Sequence, residues 1–196
     1  MISDLYSLFL FGLVTAFTPG PNNISAAYSG FNFGFRKTLP LMLGVIFGWT
    51  SLLISMEFGL VILFKKFDLL QSVIKILGSI FLLYLAYKIA FSNIQKNNSL
   101  KKPIKFLEMY LFQFINPKSV VVAMTAVSIF IDTKDNYLSD VILVTSVYFF
   151  MAVFSISSWC LLGKYLRKFV TSEKFIKNFN YTMSFLLIVC VILFYV

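Results

Sequence analysis

Two stretches of this chain combine groups that bind small polar molecules with backbone that cannot stay helical. The first is Pro19-Gly20-Pro21-Asn22-Asn23, inside a long apolar run. Its prolines delete two amide donors and release the carbonyls of Thr15 and Phe17, four residues upstream. A released carbonyl in hydrocarbon costs several kcal/mol unless something satisfies it, so such backbone belongs where it is buried or lines a wet cavity. Gly20 permits a turn and the close approach of a ligand. Pro21 suits the first position of a new half-helix, and Asn22 and Asn23 can both donate and accept. Amides at the start of a half-helix suit a carboxylate, and free carbonyls suit an ammonium. The stretch therefore fits a zwitterion such as an amino acid. The plainer reading is a packing kink lined by neighbouring helices.

Asn116-Pro117-Lys118 repeats this logic. Asn116 is a good N-cap and Pro117 a good first helical residue, so a half-helix would start inside the membrane and free the carbonyl of Gln113. Lys118 then sits near the positive end of that half-helix, which is locally unfavourable. It lies about 12 residues from either end of its apolar run, roughly 18 Å of helix, too far to snorkel easily. An intramembrane lysine reads as functional, drawing a substrate carboxylate or keeping a vestibule wet. A span shifted so that Lys118 reaches an interface is the alternative. Glu57 is the only acid well inside a run. It is a candidate for proton coupling, or is simply solvated near a boundary. Glu108 reads as solvated. The chain has no histidine, so a histidine relay is excluded. No phosphate-binding loop, metal-ligand cluster or nucleophile elbow occurs, so neither ATP drive, a metal nor a cofactor is expected.

These residues must be positioned by membrane helices. The 196-residue chain is 59% hydrophobic and 13% charged, about half the charge of a soluble domain. Apolar runs cover residues 5–30, 39–64, 69–91, 106–131, 139–163 and 179–196, each near the length of a bilayer crossing. The expected fold is one all-α polytopic membrane domain with six transmembrane helices. The N-terminus lacks the basic start of a cleavable signal peptide. Arg36, Lys37, Lys88, Lys96, Lys101, Lys102, Lys105, Lys164, Arg167, Lys168, Lys174 and Lys177 fall on one side. Only Lys65, Lys66, Lys75 and Lys134 fall on the other. Positive-inside then places both termini outside the cytoplasm. The net charge of +9 is explained by orientation and anionic lipid, and nucleic-acid binding is not expected. Runs one and four carry the proline breaks, and each is followed by two more runs. This layout predicts two inverted three-helix repeats, residues 1–95 and 106–196, joined by a basic linker at 92–105. Gly44 and Gly48 form a helix-packing pair. Trp49, Trp159 and the tyrosines are mostly interfacial or packing residues.

At the same residues the chain resembles the LysE/RhtB family of amino-acid exporters. The resemblance is carried by Thr18-Pro19-Gly20-Pro21-Asn22-Asn23, by the stretch Gly30 to Arg36, by Leu77-Gly78 with Leu82 to Lys88, and by Phe112 to Lys118. It extends over essentially the whole chain. Within the family it looks most like the cysteine and O-acetylserine exporter branch, through Leu85 to Ala90, Leu111 to Phe114 and Thr125 to Ser128. Many relatives place an aspartate after the second-helix glycine, where Trp49 follows Gly48 here. The resemblance implies export of a small neutral amino acid, driven by the proton gradient, from a bacterial inner membrane. It implies a binding site at Pro19, Gly20, Pro21, Asn22, Asn23, Asn116, Pro117 and Lys118, with Thr15, Thr18 and Gln113 as second choices. A homodimer is compatible with the sequence.

Two other classes compete. Thiol-electron conduits of the wider superfamily have similar size but carry cysteines beside the mid-membrane prolines, whereas Cys160 and Cys190 lie elsewhere, inside apolar runs. An uncoupled channel or a scaffold would not need interrupted repeats, which favour carriers.

Overall fold

The computed structural model describes residues 2–91, 103–131, 137–169 and 172–195. Most of the expected basic linker, residues 92–102, and the acid-rich loop at 132–136 lie outside the described residues. The described elements are all helical. They are α1 (Ile2–Phe17), α2 (Pro21–Ser55), a π-helical turn (Met56–Leu60), α3 (Val61–Lys66), α4 (Asp68–Ala90), α5 (Phe106–Ile115), α6 (Pro117–Phe130), α7 (Tyr137–Lys168) and α8 (Glu173–Leu193).

The expected loop between the first two apolar runs is absent; a single residue replaces it. Gly34 takes φ 76° and ψ 171°, a conformation that side chains disfavour. The hydroxyls of Ser29 and Thr38 meet at 2.9 Å across it. In a straight helix, residues nine apart would stand about 13.5 Å from each other. The chain therefore doubles back at Gly34, and α2 is two helical segments, residues 21–33 and 35–55. The Thr38 hydroxyl also donates to the Gly34 carbonyl at 2.8 Å, which ties the turn down.

By length and composition, Pro21–Leu63, Ser72–Ala90, Tyr137–Lys168 and Glu173–Leu193 can cross a membrane. The pair Phe106–Ile115 and Pro117–Phe130, bent by 60°, adds a fifth crossing when counted as one. Six were expected. The count falls because α1 is short and the Gly34 turn leaves no loop between the first two runs. Exposed apolar residues such as Phe9, Ile80, Phe150 and Phe185 ring the bundle, as a lipid-facing surface requires.

The long helices pack on the broken ones. Contacts with α7 shift overall toward its C-terminal end from α1 into α2. Gly12 faces Tyr148 and Met151, Ser155 bonds the Ala16 carbonyl, and Trp159 bonds the Phe17 carbonyl. Further along, Gly30 lies on the Cys160 backbone and Gly163 on the Ala27 backbone. So α1 and residues 21–33 lie end to end and parallel to α7. In the same way Gly44 lies on the Phe106 carbonyl and Gly48 on the Tyr110 carbonyl, so residues 35–55 run parallel to α5. The glycine pair thus packs helices, as expected. The remaining long helices, α4 and α8, pack against each other.

Candidate functional site

The two helix breaks meet. Asn22, just inside α2, and Gln113, near the end of α5, exchange two amide hydrogen bonds of 2.8 and 3.0 Å. Gln113 is fully buried, donates also to the Met109 carbonyl, and accepts from the Ser119 hydroxyl at 3.0 Å. From the second break, Lys118 Nζ reaches the Thr18 carbonyl at 3.1 Å and the Thr18 hydroxyl at 2.9 Å. This resolves the unfavourable dipole position expected for Lys118. Its ammonium leaves the positive start of α6 and caps the negative end of α1.

The carbonyls released by the prolines are satisfied by side chains from three elements. The Thr18 hydroxyl donates to the Thr15 carbonyl, and the Trp159 indole to that of Phe17. Asn23 Nδ2 donates to the carbonyls of Ala16 and Thr18, at 2.8 and 3.0 Å. Ser155 adds a 2.6 Å bond to Ala16. At the second break, Asn116 Oδ1 accepts from the Lys118 amide as an N-cap.

Beside these groups lies a cavity that opens to the exterior, with about 570 Å3 of empty space when the solvent at its mouth is included. Thr15, Gly20, Pro21, Asn22, Asn23, Asn116 and Lys118 line it, as do Trp49, Tyr148, Ser119 and Ser155. Among the described residues Lys118 is the one charged residue that lines it. Asn116 is buried, and its Nδ2 has no protein partner. The Tyr148 hydroxyl faces Thr15 but falls outside hydrogen-bond geometry.

Several expected site residues do other work. Pro19 is exposed at the break. Pro117 is buried against Gly78 of α4. Thr18 and Gln113 hold Lys118 and Asn22 without lining the cavity. The backbone of Gly20 is extended (φ −170°), which any residue adopts; a Cβ there would press on the Lys118 stem at 3.0 Å. Glycine is thus needed for the lysine more than for a turn. Glu57 is elsewhere. It sits in the π-helical turn, 5% exposed, with Thr145 donating to Oε2 at 2.9 Å and Tyr137 to its backbone carbonyl. Its Oε1 has no partner. A residue solvated at a boundary would not be buried in this way.

Four polar or aromatic lining residues escaped the sequence reading. Trp49, taken for packing or interface, packs at a tilt on Tyr148 with ring centres 5.6 Å apart, and both residues border the cavity. Its signal was the position after Gly48. Ser119, Tyr148 and Ser155 carry no pattern that separates them from other helix residues. Neither cysteine borders the cavity, and both are free thiols.

A largely apolar cavity with a few polar groups between two interrupted helices, in a bundle with exposed apolar faces, is an arrangement found in membrane transporters. The chain belongs to the LysE-type translocator family: the family profile matches residues 13–196. It is 30% identical over 191 residues to a cysteine/O-acetylserine efflux protein of Escherichia coli O139:H28, covering 96% of this chain and 95% of that one. The corresponding proteins of E. coli K12 and Shigella sonnei are 29% identical over the same coverage. No solved structure matches. The protein is a multi-pass membrane transporter.

Proposed function

We propose that this protein exports small neutral amino acids of the cysteine and O-acetylserine kind across the cytoplasmic membrane. The observation that carries this is the cavity where the two breaks meet, whose described lining has one lysine and no acid, with the unpartnered amide donor of the lining residue Asn116 buried beside it. A lysine and a free amide suit a carboxylate, and the lack of an acid disfavours a second cationic group. The similarity to the efflux proteins supports the same substrate class.

We place six crossings in two inverted repeats, α1 and residues 21–33 being the first broken crossing and α5 with α6 the fourth. In support, each long middle helix packs on the broken helix of the other half. Both termini then face away from the cytoplasm. The Asn22–Gln113 and Lys118–Thr18 bridges would open and close as the halves rock, giving alternating access. In loaded cells, Asn22→Ala should lower efflux about tenfold or more, since it leaves the buried Gln113 amide without its partner. Asn116→Asp keeps the N-cap oxygen but removes the free donor, and should do the same. Normal efflux of cysteine and O-acetylserine by both variants would sink the site assignment.

Glu57 is the proposed proton carrier. It lies eight residues after Trp49 on the same helical path, about 12 Å of rise, and its partner Thr145 is one turn from Tyr148. Glu57→Gln should abolish the dependence of transport on an imposed pH gradient while substrate counterflow continues. Retained acceleration by the gradient would dismiss Glu57 from that role.

A further inference from the structure

The cavity keeps free donors at Asn116 and Lys118, while most of its carbonyl and amide oxygens already accept a hydrogen bond. A carbonyl oxygen carries two lone pairs. The Ala16 carbonyl already accepts from Asn23 and Ser155, and the Thr18 carbonyl from Asn23 and Lys118. Asn22 Oδ1 accepts from Gln113 and Asn116 Oδ1 from the Lys118 amide, while the single Ser155 proton goes to the Ala16 carbonyl at 2.6 Å, leaving Asn23 Oδ1 3.4 Å from the Ser155 oxygen. Against these, Asn116 Nδ2 is buried without a partner, and Lys118 has used two of its three protons. That end of the cavity can hold a carboxylate. To an ammonium it offers neutral oxygens, several of which already accept a hydrogen bond, and no opposite charge among the described residues.

Among the described residues none that lines the cavity is acidic, so the ammonium of a bound amino acid meets no opposite charge there. The remaining electron-rich groups on the wall are the rings of Trp49 and Tyr148, 5.6 Å apart and inclined at 50°. Trp49 is only 8% exposed, so its ring is held in place by packing. A desolvated cation over a tryptophan face is the strongest form of cation–π contact. We infer that Trp49, backed by Tyr148, seats the substrate ammonium, while Lys118 and Asn116 take the carboxylate. This rests on the amino-acid reading of the site and assigns its second pole. The site then recognises both charges of a zwitterion with no carboxylate of its own.

The test is fluorination of one ring. Fluorotryptophans carrying one to four fluorines are inserted at position 49 of the full chain in lipid nanodiscs, and binding of cysteine and O-acetylserine is measured. Fluorine changes ring size little but withdraws the charge from its face. The dissociation constants should rise stepwise, by about tenfold across the series. 3-Mercaptopropionate, which lacks the ammonium, should bind with an affinity independent of fluorination. A flat series for the amino acids, or an equal slope for 3-mercaptopropionate, overturns the assignment while leaving the export reading in place. An unmodified protein that binds neither amino acid overturns both.

Discussion

Lys118→Met is expected to cut amino-acid export by about ten- to a hundredfold while the protein stays folded in the membrane. A hydrogen bond to a charged group contributes about 1.5–3 kcal/mol, and 1.4 kcal/mol is a factor of ten. Lys118 is the only charge on the cavity wall among the described residues, so a substrate carboxylate loses that ionic partner. The fold should tolerate the change. Thr18's carbonyl keeps its bond from Asn23, and the carbonyls of Ala16 and Phe17 keep Ser155 and Trp159. Removing a half-buried charge also removes its desolvation penalty. Lys118→Arg should recover only part of the rate, because a planar guanidinium does not fit the ledge above Gly20 that the lysine stem fills. Vesicle flux measures the rate, and size-exclusion profiles in detergent report the fold. Wild-type flux in Lys118→Met would remove the lysine from the site.

Gly163→Ala and Gly30→Ala should act in the opposite order, damaging the fold first. A Cβ at Gly163 would press into the Ala27 carbonyl, and one at Gly30 into that of Cys160. Both obstacles are backbone, so a side chain cannot swing away; α7 must lift off α2. Overpacking of this kind typically costs about 1–3 kcal/mol, occasionally more. The separation would also carry Ser155 and Trp159 away from the end of α1, leaving its carbonyls exposed to the cavity. Lower melting temperatures in detergent are expected for each variant. The double variant should lose less than the sum, because both contacts lie on one seam three residues apart on each helix. Unchanged melting temperatures would mean that the seam is not as tight as the geometry indicates.

The helical content and the two breaks were legible in the residues. Proline cannot donate, so Pro19, Pro21 and Pro117 had to interrupt their runs, and structure and expectation agree there. Glycines at a spacing of four, Gly44 and Gly48, announced a close helix contact. The turn at Gly34 was harder to foresee. Its neighbours are aromatic and polar without a loop-like composition, and one positive φ does what a loop would do.

The sequence by itself determined what could not be helical and what could not stay unpaired: the broken runs, the freed carbonyls of Thr15 and Phe17, and a lysine without a nearby acid. Those follow from covalent structure and from the absence of water in hydrocarbon. Only the tertiary structure decided which groups answer them. Asn22 finds Gln113 91 residues away, Lys118 finds Thr18 at a distance of 100, and Trp159 caps a carbonyl 142 residues earlier. It also decided that Trp49 borders the cavity and that Glu57 is buried apart from it. Partners so far apart in the chain are chosen by how helices pack, and packing depends on every side chain along the seam at once, so no local pattern can specify them.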